Sequence, residues 1–327
     1  MTTQKAERRK RYRSGLLLFR QAFPTVGVLF CMLFFLRDSS LARDAVLRGL
    51  RISALNVIPS VFPFLVLSDL LLSGGGLPNG RGKGLRSLFR LSAVGGTAIL
   101  LGWVCGFPVG ARCAATELKN GRLTREEAER VIAAASVPSP AFLIGGIGVG
   151  LFDDRATGLF LWGSALAAAG IVGVFSTFRK TTTFPKSYTP SHGSTRPTSF
   201  PVRLTDALRG AALAALNLCA YIVFFSAVSA AASAVLSRFG ASDPLRAVVS
   251  CLLELSGGVS DAAALPDRRL SLLFCAAAIG WSGLSVHFQT LAVCDGQSLR
   301  FGRFAFRKGL QAVLCLGFAA LWLRFHG

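Results

Sequence analysis

The sequence predicts an all-α, polytopic membrane protein made of two internal repeats, and three observations carry that prediction. The first is composition: 52% of the residues are hydrophobic and only 16% charged, with a mean hydropathy of +0.54, whereas a soluble domain carries about 25% charged residues. The second is distribution, because apolar runs recur from Leu16 to Leu323 and leave no polar half that could fold in water. A soluble enzyme with one anchor is thereby excluded. The third is repetition. Arg48-Gly49 matches Arg209-Gly210, Ala54-Leu55-Asn56 matches Ala215-Leu216-Asn217, and Phe64 and Ser68 match Phe225 and Ser229, all in one register without gaps.

Taken in order, residues 1–40 combine a basic start with a first membrane helix. Lys5, Arg8, Arg9, Lys10, Arg11 and Arg13 precede an apolar stretch that runs from Leu16 to Leu36 without a cleavage site, which predicts a retained helix with a cytoplasmic N-terminus. Residues 41–178 form the first repeat. Leu41 to Arg51 is amphipathic, and Ile52 to Leu72 is apolar but holds Asn56, Pro59, Pro63 and Asp69, so it is no plain lipid-facing anchor. A Gly-rich basic connector, Gly74 to Arg90, leads to the apolar run Leu91 to Cys105, which ends in Gly106-Phe107-Pro108-Val109-Gly110. Leu118 to Ile132 is predicted as a short water-exposed helix whose capping box pairs Thr124 with Glu127. Ser136-Val137-Pro138-Ser139-Pro140 and the glycines at 145, 146, 148 and 150 then interrupt another apolar stretch. Non-helical backbone at membrane depth is tolerated only against protein or a wet cavity, so a re-entrant hairpin or a broken helix is expected there. Gly158 to Phe178 reads as an ordinary span.

Residues 179–203 are rich in Thr, Ser and Pro, with five bases and no acid, and predict a flexible linker. Residues 204–327 form the second repeat. In it Leu253-Glu254-Leu255-Ser256-Gly257-Gly258 takes the place of the Gly106 to Gly110 break, and Gly280-Trp281-Ser282-Gly283-Leu284-Ser285-Val286-His287 that of the Ser136 to Pro140 break. Paired interruptions at matching places in two halves point to a solute site near the bilayer midplane.

These stretches, together with Ile58-Pro59-Ser60-Val61-Phe62-Pro63-Phe64, Ser139-Pro140-Ala141-Phe142 and Gly283-Leu284-Ser285-Val286-His287-Phe288-Gln289, resemble the nucleoside-recognition, or Gate, domain family. Within it they are similar to the sporulation integral membrane proteins of the YlbJ type, over about Ala42 to Gln311. The chain departs from the family pattern at Ala135-Ser136-Val137, where relatives commonly show an Asn or Thr pair, and at Ser282, a Gly-like position in relatives. The resemblance implies a fold similar to concentrative nucleoside transporters, each repeat with a re-entrant hairpin and a broken helix. It also implies movement of dipicolinic acid towards the developing spore, which places the chain in the bacterial cell membrane or a forespore membrane.

The residues themselves say what chemistry such a site could use. A carboxylate at bilayer depth costs about 2.5–3.5 kcal/mol on insertion scales, so Glu254 needs a role: binding a coupling proton or cation with the unwound backbone of Ser256, Gly257 and Gly258, or a structural hydrogen bond to the free amides of the broken helix. His287 and Gln289 follow Gly283 and Ser285 on a helix leaving the last break, and ligand contact and packing both suit them. Asn56 and Asn217, one per repeat, suit substrate contact or interhelical hydrogen bonding equally. Phe107, Pro108 and Gly110 shape the first break, and Ser136, Ser139 and Pro140 the second. With Ser282 these complete the candidate substrate-binding set.

Eight cysteines without a Cys-x-x-Cys pair predict neither a zinc site nor a disulfide framework. Gly74 to Gly76 are not followed by Lys-Ser/Thr, so no nucleotide loop is expected. No cofactor, metal or enzymatic activity is expected. The 36 Lys and Arg against 16 Asp and Glu give +20, but the bases lie between apolar runs, so lipid headgroups rather than nucleic acid are their partners. The predicted function is transport of a small polar or anionic metabolite. A nucleoside or related heterocycle carrier and a non-transporting membrane scaffold are the alternatives, and a small solute, the bilayer, a coupling ion and a second copy of the chain are the candidate partners.

Overall fold

The computed structural model describes residues 25–73, 87–176, 199–294 and 300–326. The basic N-terminal run, most of the connector after Gly74 and most of the linker after Arg179 lie outside the described residues. Among the described residues every regular element is a helix, and five are long and apolar enough to cross a membrane.

The first half opens with α1 (Thr25–Arg37) and α2 (Ser39–Ile52). A widened turn, Ser53–Val57, joins α2 to α3 (Ile58–Ser73), so that Ser39–Ser73 is one span in spite of Pro59 and Pro63. Proline supplies no amide to the ladder. Nearby serines bond back to the preceding turn: Ser53 Oγ donates to the Gly49 carbonyl and Ser60 Oγ to that of Val57. Next come α4 (Ala93–Cys105), α5 (Val109–Lys119), α6 (Arg125–Ala135), α7 (Ala141–Phe152) and α8 (Arg155–Phe175). The second half holds α9 (Phe200–Arg238), α10 (Asp243–Leu253), α11 (Leu255–Ala263), α12 (Arg268–Trp281), α13 (Gly283–Cys294) and α14 (Phe301–His326). The order of a long span, two interrupted helix pairs and a final span therefore occurs twice. The second long span begins at Phe200, inside the stretch expected to be linker.

Corresponding helices run antiparallel. Asp38 pairs with Arg238 at 2.8 Å at one end of the α2–α3/α9 contact, and Arg203 donates to the Leu70 carbonyl at 3.1 Å at the other. Gly49 and Gly210, matched in the repeat, are both sites of close approach: a Cβ on Gly49 would lie 2.9 Å from Val223 Cα, and one on Gly210 2.8 Å from the Asp69 carboxylate. Helices α8 and α14 also oppose each other, Phe160 stacking on Trp322 at 4.5 Å. This is the geometry that an inverted-topology repeat produces.

Within each half the interrupted pairs differ. Ser92 and Glu127, at the starts of α4 and α6, are hydrogen-bonded at 2.6 Å, and Trp103 and Ala134, at their ends, at 2.9 Å. Hence α4 and α6 run parallel from one end of the bundle to mid-depth. There α4 turns back into α5, forming a hairpin, while α6 continues through its break into α7 and reaches the opposite end, where Arg268 donates to the Phe152 carbonyl. The second half repeats this with an α10–α11 hairpin and the broken α12–α13.

Helix α6 corrects one expectation. Its charged sequence predicts a water-exposed helix, yet Ala128, Val131 and Ile132 are buried in the first apolar core, and Glu127 and Glu129 are buried as well. The capping box is half formed. Thr124 Oγ1 accepts from the Glu127 amide, but the Glu127 carboxylate accepts from Ser92 N and so ties α6 to α4.

Candidate functional site

Four interruptions meet at mid-depth, and the sequence explains each. After α4, Gly106 has φ +79°, and a Cβ there would lie 2.6 Å from Ser139 N. Only glycine suits both the turn and that approach. The Phe107–Pro108 peptide is cis, and Phe107 N donates to the Val137 carbonyl at 3.1 Å. The first break is thus bound to the second, Ser136–Ser139, where prolines at 138 and 140 bar a regular helix. Ser136 is fully buried, and its carbonyl accepts from Lys308 Nζ at 2.9 Å. Lys308, 1% exposed on α14, also donates to Gln311, which donates in turn to the Ala133 carbonyl. A buried ammonium thus caps the carbonyl end of α6, the negative end of its dipole.

The third break is a single residue. Glu254 is extended, and its carboxylate accepts from Ser256 N at 3.1 Å and Gly257 N at 2.5 Å, capping α11. That is the structural hydrogen bond the sequence left open as one of two roles. At the fourth break Ser282 and Gly283 have φ +74° and +69°, and a Gly283 Cβ would lie 2.8 Å from Leu255 N. Here the third break is bound to the fourth. His287 Nδ1 lies 2.7 Å from the Gly283 carbonyl and donates to it, while its ring packs between Trp281 and Phe304.

Two cavities converge on Glu254. The inner one, about 30 Å³, is lined by Phe107, Pro138 and Ser139 from the first two breaks, Glu254 and Ser256 from the third, Gln289 beyond the fourth, and Ser60 and Ile222 from the long spans. Gln289 is 4% exposed, and neither atom of its amide has a partner. The outer one, a vestibule of about 440 Å³, lies between α2, α9 and the α10–α11 hairpin and reaches Glu254 and Gly257 at its floor. Four helices, α5, α7, α11 and α13, start at the breaks. Their positive dipole ends therefore gather at this centre.

Of the residues singled out from sequence, Phe107, Ser139, Glu254, Ser256 and Gln289 line the inner cavity and Gly257 the vestibule. Pro108, Ser136, Ser282, Gly283, Ser285 and His287 form the breaks and the buried wall behind them. Gly110 and Gly258 are packing positions, where a Cβ would lie 2.5 Å from Ala135 Cβ and from Cys251 Cα respectively. Pro140 starts α7. Asn56 and Asn217 are not brought to the centre: both are exposed on the outside of the chain. Lys308, Gln311 and the serines of α9 escaped the sequence reading. Lys308 looks like one more base after Arg300, Arg303 and Arg307, whereas Ser226, Ser229, Ser233 and Ser237 sit at helical spacing in an Ala-rich run and could have been found.

No protein-family model matches the chain, so the nucleoside-recognition part of the resemblance has no such match behind it, and no solved structure matches significantly. Among curated proteins the chain is similar to the sporulation integral membrane protein YlbJ of Bacillus subtilis (strain 168), with 27% identity over 302 residues that cover 81% of this chain and 73% of that protein. With its apolar composition and five candidate spans, the chain is an integral membrane protein similar over most of its length to that sporulation protein.

Proposed function

We propose that this protein carries a small polar or anionic metabolite across the membrane by alternating access, with dipicolinic acid in a sporulating cell as the leading substrate. The observation that carries the reading is the convergence of all four breaks and both long spans on one cavity. Broken helices expose amides and carbonyls that lipid cannot satisfy, and four of them around a common centre are costly for a scaffold and useful for a carrier. The helix N-termini there suit an anion. The choice of dipicolinate rests on the family resemblance. A nucleoside or related heterocycle is the second reading, favoured by Phe107, Phe142 and the unpartnered Gln289 amide on the inner wall. Glu254, shared by both cavities, is the position for a coupling proton or cation.

Orientation follows from charge. The chain leaves at Ser73 and Ser176 and returns at Ser87 and Ser199 at the end of the bundle that bears Arg125, Arg300 and Arg303. The intervening stretches contain Arg81, Lys83 and Arg86, then Arg179, Lys180, Lys186 and Arg196, and no acid. At the opposite end basic residues are fewer: Arg37, Arg43, Arg155, Arg238, Arg246, Arg268, Arg269 and Arg324. The positive-inside rule then makes the arginine-rich end cytoplasmic. The basic N-terminus belongs on the same side, and the vestibule opens away from the cytoplasm.

Reconstitution tests the proposal. Liposomes containing the purified chain should take up labelled dipicolinate, and Glu254→Gln, which keeps the shape but gives up the charge and one of the two amide contacts, should still insert and should lose uphill accumulation. Absence of uptake for dipicolinate and for nucleosides alike would return the chain to a scaffold role. Normal uptake by Glu254→Gln would leave transport standing and reduce Glu254 to a helix cap.

A further inference from the structure

The vestibule has a chemistry of its own. Ser226, Ser229, Ser233 and Ser237 recur at i, i+3, i+7 and i+11 and line it along one face of α9, a polar strip spanning about 16 Å at 1.5 Å per residue. The carboxylates in its walls are already matched. Asp243 is paired with Arg246, and Asp261 is paired with Arg48 at 3.5 Å and accepts from Ser250 Oγ at 2.6 Å. At the floor Glu254 accepts from two backbone amides. The groups left over are different: Arg246 Nε and Ser226 Oγ are both buried without a partner, Ser226 being 8% exposed. A buried donor without an acceptor is costly; with Nη2 of Arg246 held by Asp243, its Nε and Ser226 Oγ are the donors left for an incoming anion.

We infer that the vestibule is a binding site for a small carboxylate anion, separate from the inner cavity, in which Arg246 and Ser226 hold the solute on the extracytoplasmic side before it reaches the four breaks. The inference rests on the transport reading and adds to it where the solute sits in the arrangement described. At about 440 Å³ the vestibule falls within the usual range of small-molecule pockets, roughly 300–1,000 Å³; the inner cavity, at about 30 Å³, has room for little more than a water or two. Two ion pairs balance the walls, and Glu254 at the floor is the lining acid without a cationic partner, so a dicarboxylate would bind best with that carboxyl protonated.

The experiment uses the full chain in neutral-lipid nanodiscs, with labelled pyridine-2,6-dicarboxylate as the probe. Arg246→Gln should weaken equilibrium binding about ten-fold or more and Ser226→Ala about three-fold, as loss of a charge-assisted and of a neutral hydrogen bond predicts. Gln289→Ala, in the inner cavity, should bind normally and fail in liposome uptake. Should Gln289→Ala lose binding while both vestibule variants keep it, the site lies in the inner cavity, and this inference fails while transport survives. If the unaltered chain binds no carboxylate yet takes up a nucleoside, the inference fails together with the anionic substrate. Ser233→Cys provides a check that does not depend on the folding of Arg246→Gln: the probe should slow its reaction with an impermeant maleimide, and an unchanged rate would overturn the site.

Discussion

The two hairpins occupy matching places in the two halves and stand differently against the long spans. The first, α4–α5, is drawn onto α3 by Asp69 and Arg112, paired at 2.9 Å with side chains only 12% and 26% exposed. The second, α10–α11, stands away from α2 and α9 and leaves the vestibule between them; the pair that crosses the gap, Arg48 and Asp261, is 3.5 Å apart and about half exposed. The span Ser39–Ser73 thus carries an ion pair to each hairpin, close near Ser73 and loose near Ser39. On the transport proposal, hairpins held in two arrangements are what alternating access between matched halves would use.

The largest effect should come from blocking the hairpins themselves. Gly110→Val drives a side chain into Gly102 and Ala135, and Gly258→Val one into the backbone of Cys251. Each should cost more than about 3 kcal/mol, because backbone rather than a flexible side chain has to move. Membrane abundance of both variants should collapse, while Gly145→Ala, which meets nothing within 4 Å, should accumulate normally. Survival of either valine variant would mean that hairpin closure is not fixed as described.

Next in size is the contrast between the ion pairs. Asp69→Asn leaves Arg112 partly buried without its counter-charge and should lower stability by about 1–3 kcal/mol. Asp261→Asn, in the open pair, should cost less than about 1 kcal/mol. Thermal unfolding in detergent gives both values, and equal costs would erase the difference between the two sides.

Lys308→Met asks whether the second break needs its buried cation. The Ser136 carbonyl would lose its donor, an expected loss of about 1–3 kcal/mol, offset in part because a buried charge is removed as well. A more stable variant that still takes up substrate would deny Lys308 a positioning role.

The breaks were legible because proline and glycine write backbone constraints directly into sequence: Gly106, Pro108, Pro138, Pro140 and Gly283 all fall where the helices stop. Gly49 is legible in the same way, since its close approach to the Val223 backbone demands a small residue. Partners distant in sequence were not legible. Nothing local tells that Lys308 reaches Ser136, or that the acids of α6 are buried against Ser92 and the arginines of α14. Asn56 and Asn217 misled because a match between two stretches does not say which face of a long helix looks inward, and both are exposed.

The smallest prediction concerns two tryptophans and bears on what moves. Trp103 at the end of α4 donates to the Ala134 carbonyl on α6 at 2.9 Å, and Trp281 at the end of α12 donates to the Leu252 carbonyl on α10 at 3.0 Å. In each half an indole therefore fastens the hairpin to the broken helix beside it, although the donor sits on opposite members of the pair. If hairpin and broken helix travel together, the clamp persists whichever side is open. Trp103→Phe and Trp281→Phe should then each cost about 0.5–1.5 kcal/mol, by similar amounts, and the losses should add in the double variant because the two bonds share no partner. Calorimetry on the two single variants and the double decides. A neutral Trp281→Phe beside a costly Trp103→Phe would mean that the second hairpin is not fastened to α12 in solution, so that the hairpin alone, rather than the hairpin with its broken helix, is the part that opens the vestibule.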